Sequence, residues 1–142
     1  MTDITVGDEL TPFVRVTDFP EWNRYAAVND EFVPIHMDDD AGRAAGNEQG
    51  AFGMGNLRLS YLVNMLRAWC GENCDIRELS LRYSQINQKH DELRCVGEVI
   101  AKDVVDGERR VRLRIDVLNQ DGESTTPGEA EVVFPPAEAD RD

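Results

Sequence analysis

The sequence is poor in cations, in histidine and cysteine, and in long apolar runs. Lysine and arginine number 15 against 28 aspartates and glutamates, giving a net charge of −13. So acidic a chain offers no broad basic footprint, which excludes nucleic acid and anionic membranes as its general partners. An anionic ligand must be met instead by a few local side chains or by helix N-termini. No apolar run approaches the roughly 20 residues of a membrane span. The most apolar stretch, Leu57 to Trp69, is interrupted by Arg58, Asn64 and Arg67. The opening residues, MTDITVGDELTP, have neither the basic nor the apolar region of a secretion signal, so a cytoplasmic location is expected. The three cysteines, Cys70, Cys74 and Cys95, are an odd number, and a disulfide framework is not expected. Cys70 and Cys74 resemble half of a zinc site. No second clustered pair of Cys or His supplies the four ligands of a structural site, so no metal is expected.

What is present suits one domain over residues 1–142, with a polar tail at about 136–142 expected to fray. A compact chain of this size buries roughly 70% of its unfolded surface, enough for a core without staples. Residues 12–17 alternate as a short strand. Asp18 or Thr17 then caps a helix with Pro20 in its first turn and Trp22, Tyr25 and Ala26 on one side. Pro34 is expected to stop that helix and to hold the following chain in a non-helical form. Asp38 to Ala45 reads as a second short helix, with acidic residues in its first turn and Gly46 after its end.

One long helix is expected over about Met54 to Cys70. Leu57, Tyr61, Leu62, Met65, Leu66 and Trp69 recur there at three- and four-residue steps, giving one wide apolar face. From residue 76 the period becomes two. Residues 76–84, 93–104, 109–118 and 129–134 read as strands, with Asp106-Gly107 and Asp121-Gly122 as turn signals. A single apolar helix face needs a single sheet face to bury it. The expected architecture is α+β, an antiparallel sheet wrapped around one long central helix, which is the hot-dog arrangement.

With only two histidines, each can be weighed separately. His90, within NQKHDE, reads as a solvated loop residue. His36 follows Asp30 and Glu31, and carboxylate with imidazole is the usual equipment of general acid–base chemistry. A histidine near acids in an acidic chain also reads as a structural or capping residue, and geometry alone separates the two.

The surrounding residues carry a resemblance. From Tyr25, YAAVNDEFVPIHMDDDAGRAAG resembles the signature of the MaoC-like dehydratases, the R-specific enoyl-CoA hydratases of the hot-dog superfamily. Pro34, Ile35 and His36 match its Pro-Ile-His element without a gap. Gly50-Ala51-Phe52-Gly53-Met54 resembles the Ile-Ala-His-Gly-Met that begins the family's central helix. Arg82-Tyr83 with Asp91 and Leu93, and Pro127-Gly128-Glu129-Ala130, match more weakly. The sequence departs from the pattern at several places. Glu31 stands at the catalytic Asp position, Asp30 where a Gly is usual, and Val33 in place of Asn. Phe52 replaces the His before the helix-starting Gly, and His90 replaces a Gly.

The resemblance implies reversible hydration of a trans-2-enoyl-CoA to the R-3-hydroxyacyl-CoA. It implies Glu31 and His36 as the catalytic pair, with Asp30 as the alternate acid. Gly53, through its amide N–H, is the implied donor to the thioester carbonyl, and Phe52, Met54 and Asn56 the neighbouring substrate contacts. Arg82 and Lys89, with Arg77 and Arg94 nearby, are candidates for the CoA phosphates. No cofactor is implied, since CoA is part of the substrate. The implied assembly is a homodimer, or a heteromer with a second hot-dog subunit, with the acyl tunnel at the interface. Two rival readings are a non-catalytic subunit that shapes the tunnel of an active partner, and an acyl-CoA thioesterase.

Overall fold

The computed structural model of the protein describes residues 3–72 and 74–135. The tail expected to fray, 136–142, lies outside the described residues. β1 (Phe13–Val16) leads into α1 (Phe19–Asn29), α2 (Pro34–Met37) and α3 (Asp39–Ala44). The long α4 (Gly55–Cys70) follows, and then β2 (Asp75–Leu81), β3 (Glu92–Val105), β4 (Glu108–Leu118) and β5 (Gly128–Phe134).

All strands pair antiparallel in one sheet of order β1-β3-β4-β5-β2. The β3–β4 hairpin forms where expected, since Asp106 and Gly107 both take the positive φ that a tight primed turn requires (53° and 81°). The four C-terminal strands are not a simple meander. β2 pairs with β5 at the far edge, so the 82–91 connection runs from one edge of the sheet toward the other side. That connection passes the start of α4 and supplies part of the site.

α4 lies on the inner sheet face, against β1, β3 and β4. Leu62, Met65 and Leu66 are buried against Cys95, Val99, Val111, Leu113, Ile115 and Val117. Each such side chain contributes on the order of 1.5–3 kcal/mol by leaving water. Alternation along β4 is complete, with Arg112 and Arg114 outside. On β3 it breaks at a bulge between Val99 and Ala101, so Ala101 leaves the expected face. A second apolar cluster, Trp22, Ala26, Ala51, Met54 and Leu57, joins α1 to the start of α4.

Two expectations are corrected. Pro34 does not hold its segment out of helix: it opens the one-turn α2, at the first-turn position where its missing N–H costs nothing. α1 ends earlier for a different reason, because Asp30 turns left-handed (φ 52°) and its N–H returns to Ala26 O. Cys70 and Cys74 are joined as a disulfide, because the Gly71 turn after α4 brings their Cα atoms to 5.9 Å, within bridging range.

This pairing gives a definite thiol count. Cys95 is fully buried in the core, and burial pushes its thiol up to about 12. No thiol of the folded protein should react with iodoacetamide at neutral pH. One should react after unfolding, and all three after unfolding with reduction. Mass spectrometry of the labelled chain reads the count, and three labels without reduction would show the bridge to be absent.

Candidate active site

His36 is placed by α2 and fixed by the segment that leads into α4. The ring is 9% exposed, and Nδ1 lies 2.7 Å from the Phe52 carbonyl oxygen. A carbonyl only accepts, so Nδ1 carries a proton, and in the neutral ring Nε2 presents the lone pair. Phe52 also sets the ring edge-on at 5.3 Å, and its own N–H donates to Ile35 O at 3.3 Å. Phe52 therefore braces His36 from both its ring and its backbone.

Glu31 and Asp30 are separated by the end of α1. Asp30 is exposed, in the left-handed cap position. Glu31 is half-buried, and its N–H is held by Ala26 O at 3.1 Å. Its carboxylate stands beside two phenols. Burial pushes Tyr25 above its ordinary value and the Glu31 charge raises it further; burial likewise raises Tyr83, with the Glu31 charge adding to it and Arg58 opposing. Both phenols therefore stay protonated beside the acid. Asp30 stays exposed in the cap, so the acid beside the Tyr25 phenol is Glu31.

Tyr83 also reaches the helix start. Its ring occupies the space over Gly55, where a Cβ would come within 2.8 Å of it. Its hydroxyl donates to Asn56 Oδ1 at 3.0 Å. Tyr83, which feels the Glu31 charge, and His36, by way of Phe52, thus border the same short segment, residues 52–56. α4 begins there without a side-chain cap, leaving first-turn N–H groups to whatever approaches.

Gly53 differs from expectation. Its N–H donates to Asn87 O at 2.9 Å and is already engaged. Met54 precedes the helix as its cap residue, but its side chain is buried in the Trp22 cluster and forms core rather than a wall of the site. The cationic candidates are also partly occupied. Lys89 Nζ is 2.5 Å from Asp39 Oδ1 and 5.0 Å above the Phe19 ring. That bond holds the Asp39 carboxyl below its usual range. Arg77 pairs with Glu108 at 2.8 Å, and Arg94 with Glu92 at 3.4 Å. Arg82 is exposed in an open depression on the sheet with Ser80, Arg112 and Asp116. His90 is exposed, 3.4 Å from Asp18.

Sequence reasoning missed Arg58, which it treated as a break in an apolar run. The side chain is 2% exposed and pairs with no carboxylate among the described residues. Nη1 donates to Gln85 O at 2.7 Å, Thr126 Oγ1 at 3.0 Å and Thr125 O at 3.3 Å, and the guanidinium stacks 5.2 Å from Tyr83. Arg58 therefore ties the 82–91 and 124–127 connections beneath the start of α4. The only signal in the sequence was its step from Leu62 on the helix, one position off the apolar stripe.

No protein-family profile matches the sequence, and no curated protein matches it. Solved structures do. The unliganded R-hydratase PhaJ1 from Pseudomonas aeruginosa is 24% identical over 94% of this chain and 84% of its own, with a TM-score of 0.80. The (R)-hydratase from A. caviae, involved in PHA biosynthesis, is 23% identical over 96% of this chain and 100% of its own, with a TM-score of 0.83. The ChsH1–ChsH2 complex from Mycobacterium tuberculosis is 22% identical over 92% and 98%, with a TM-score of 0.80. These likenesses establish the hot-dog fold. Among the described residues no helix is long and apolar enough to cross a membrane.

Proposed function

We propose that the chain is a hydratase or dehydratase of acyl thioesters. It adds water reversibly across a trans-2-enoyl-CoA to give the R-3-hydroxyacyl-CoA, with Glu31 and His36 as the working pair. The observation that carries this reading is the hydrogen bond that holds His36 Nδ1 at 2.7 Å from the Phe52 carbonyl oxygen. In a neutral imidazole whose Nδ1–H is tied to a backbone carbonyl, Nε2 is the proton acceptor, and the charge of half-buried Glu31 reaches Tyr83 at the same helix start.

In this reading one water is held between Nε2 and the Glu31 carboxylate. Its oxygen bonds to the β-carbon, and one of its protons passes to the pair. The pair returns a proton to the α-carbon, so the net change is addition of one water and neither residue ends altered. Negative charge grows on the thioester oxygen as the enolate develops, and donors fixed in advance stabilise it. The uncapped N-terminus of α4 supplies partial positive charge at that place. CoA enters as part of the substrate, and no further cofactor is invoked.

A second reading is that of a subunit that shapes an acyl tunnel for an active partner. It is favoured by the exposed apolar side chains beside the site, Val28 at 80% and Phe32 at 60%, which a second hot-dog subunit would cover. The structures similar to this chain include a two-component complex.

The test is hydration of crotonyl-CoA and of longer or steroid-linked enoyl-CoAs by the purified chain, with and without the product of a neighbouring gene. Turnover by the chain alone supports the enzyme. Turnover only with the partner supports the subunit reading, and release of free CoA would point to thioester hydrolysis instead.

A further inference from the structure

α4 starts without a cap although an asparagine stands within its first turn. Met54 holds the cap position and has no side-chain oxygen to accept from the helix. Asn56, the second residue of α4, is exposed, and its carboxamide turns away from the helix backbone. Oδ1 accepts from the Tyr83 hydroxyl at 3.0 Å, and Tyr83 comes that close because Gly55 leaves room for its ring. With Oδ1 committed, the amide is held one way round. Nδ2 is then a donor with no partner among the described residues.

Beneath this pair lies a cation without an anion. Arg58 is 2% exposed, its Nε is buried without a partner, and its bonds go to neutral oxygens of Gln85, Thr125 and Thr126. An unneutralised buried charge is costly, and negative charge brought near it offsets that cost. The guanidinium lies 5.2 Å from the Tyr83 ring, so a whole positive charge adds to the partial charge of the free N–H groups at the helix start. The open donor and the buried cation suit the same occupant, an oxygen that gains negative charge over the first turn of α4. The Gly53 amide implied by the sequence resemblance is taken by Asn87 O, so that oxygen needs another donor.

We propose that Asn56 supplies this donor through Nδ2, with Tyr83 and Arg58 as the positioning residues that hold its carboxamide in the required sense. The inference rests on the hydratase reading and moves the carbonyl donor from the Gly53 backbone to a side chain. Because Asn56 is exposed, a thioester reaches it without any movement of the chain. The bond strengthens as the carbonyl oxygen gains enolate charge, and the Arg58 charge favours the same change from below. Its loss therefore acts on turnover more than on binding.

The experiment compares wild type with Asn56→Leu, Asn56→Asp and Tyr83→Phe. It measures thermal unfolding, kcat and KM on crotonyl-CoA, and the carbonyl stretch of bound, non-reacting butyryl-CoA labelled with carbon-13. Asn56→Leu should lower kcat about 100-fold with KM changed far less, and the carbonyl shift seen in wild type should be lost. Asn56→Asp keeps the shape and the acceptor for Tyr83 but puts a negative oxygen where the donor stood. A carboxylate in the first turn stabilises a helix, so this variant should unfold no lower than wild type while its kcat falls about 100-fold or more. Tyr83→Phe keeps the ring over Gly55 and frees the carboxamide to turn, and should cost about 10-fold in kcat. Turnover close to wild type in Asn56→Leu or Asn56→Asp, or an unchanged carbonyl stretch, overturns the proposal. A fall in kcat that comes only with a lower unfolding temperature in both variants marks a structural role and overturns it as well. A wild-type chain that hydrates no enoyl-CoA, alone or with a partner, overturns the hydratase reading first and this inference with it, and that failure shows before any variant is compared.

Discussion

Replacing His36 by asparagine should lower kcat for enoyl-CoA hydration by roughly 10²–10⁴-fold while the protein folds as before. Asparagine is chosen because its amide N–H can keep the bond that Nδ1 makes to Phe52 O at 2.7 Å. What it removes is the lone pair at Nε2. Alanine would lose both, leaving the Phe52 carbonyl unpaired at a cost of about 1–3 kcal/mol, and would mix a stability effect with the catalytic one. Steady-state kinetics with a thermal melt separates the two. Activity close to wild type in the asparagine variant would mean that His36 is a structural histidine bracing Phe52, the plainer of its two readings.

The second large effect is expected at Glu31. Glu31→Gln keeps the shape and removes the charge, and should also cost roughly 10²–10⁴-fold in kcat. Glu31→Asp keeps the charge but retracts the carboxylate by one methylene from a backbone anchored at Ala26 O. A misplacement near 1 Å costs about 100-fold, so the aspartate variant should fall between glutamine and wild type. Asp30→Asn should change little, because Asp30 is exposed and asparagine tolerates the left-handed cap. The comparison is read from kcat/KM for the three variants. Loss of activity in Asp30→Asn with Glu31→Gln unaffected would reverse the assignment of the acid.

Much of the fold was legible because its signals are periodic. The alternation of Val111, Leu113, Ile115 and Val117, and the three- and four-residue steps of Leu62, Met65 and Leu66, each report one buried face. What was not legible depends on long-range partners. The position of β2 beside β5 is a matter of pairing across the sheet, which no local period encodes. Pro34 has the same local chemistry whether it ends one helix or begins the next; the left-handed turn at Asp30 decided between them. Of the site, His36 was readable because histidine is scarce and its flanking residues match a known signature. Arg58 and Asn87 were not, since an arginine on a helix and an asparagine in a loop are ordinarily solvated. Only the packing around Gly53, Gly55 and Tyr83 shows them buried.

The shortage of cations also takes a sharper form. Lys89, Arg77 and Arg94 are each paired with a carboxylate, so few basic side chains near the site remain for a polyanionic ligand. Recognition of a CoA thioester would then rest on Arg82, on the N-terminus of α4 and on a second subunit more than on the surface charge of this chain.

The most direct test of the central claim is the reaction run in heavy water with wild type, His36→Asn and Glu31→Gln, followed by chiral analysis and mass spectrometry of the product. Wild type should yield an R-3-hydroxyacyl-CoA carrying one deuterium at the α-carbon, formed far more slowly by either variant. An unlabelled or S-configured product, or equal rates in all three proteins, would contradict that claim.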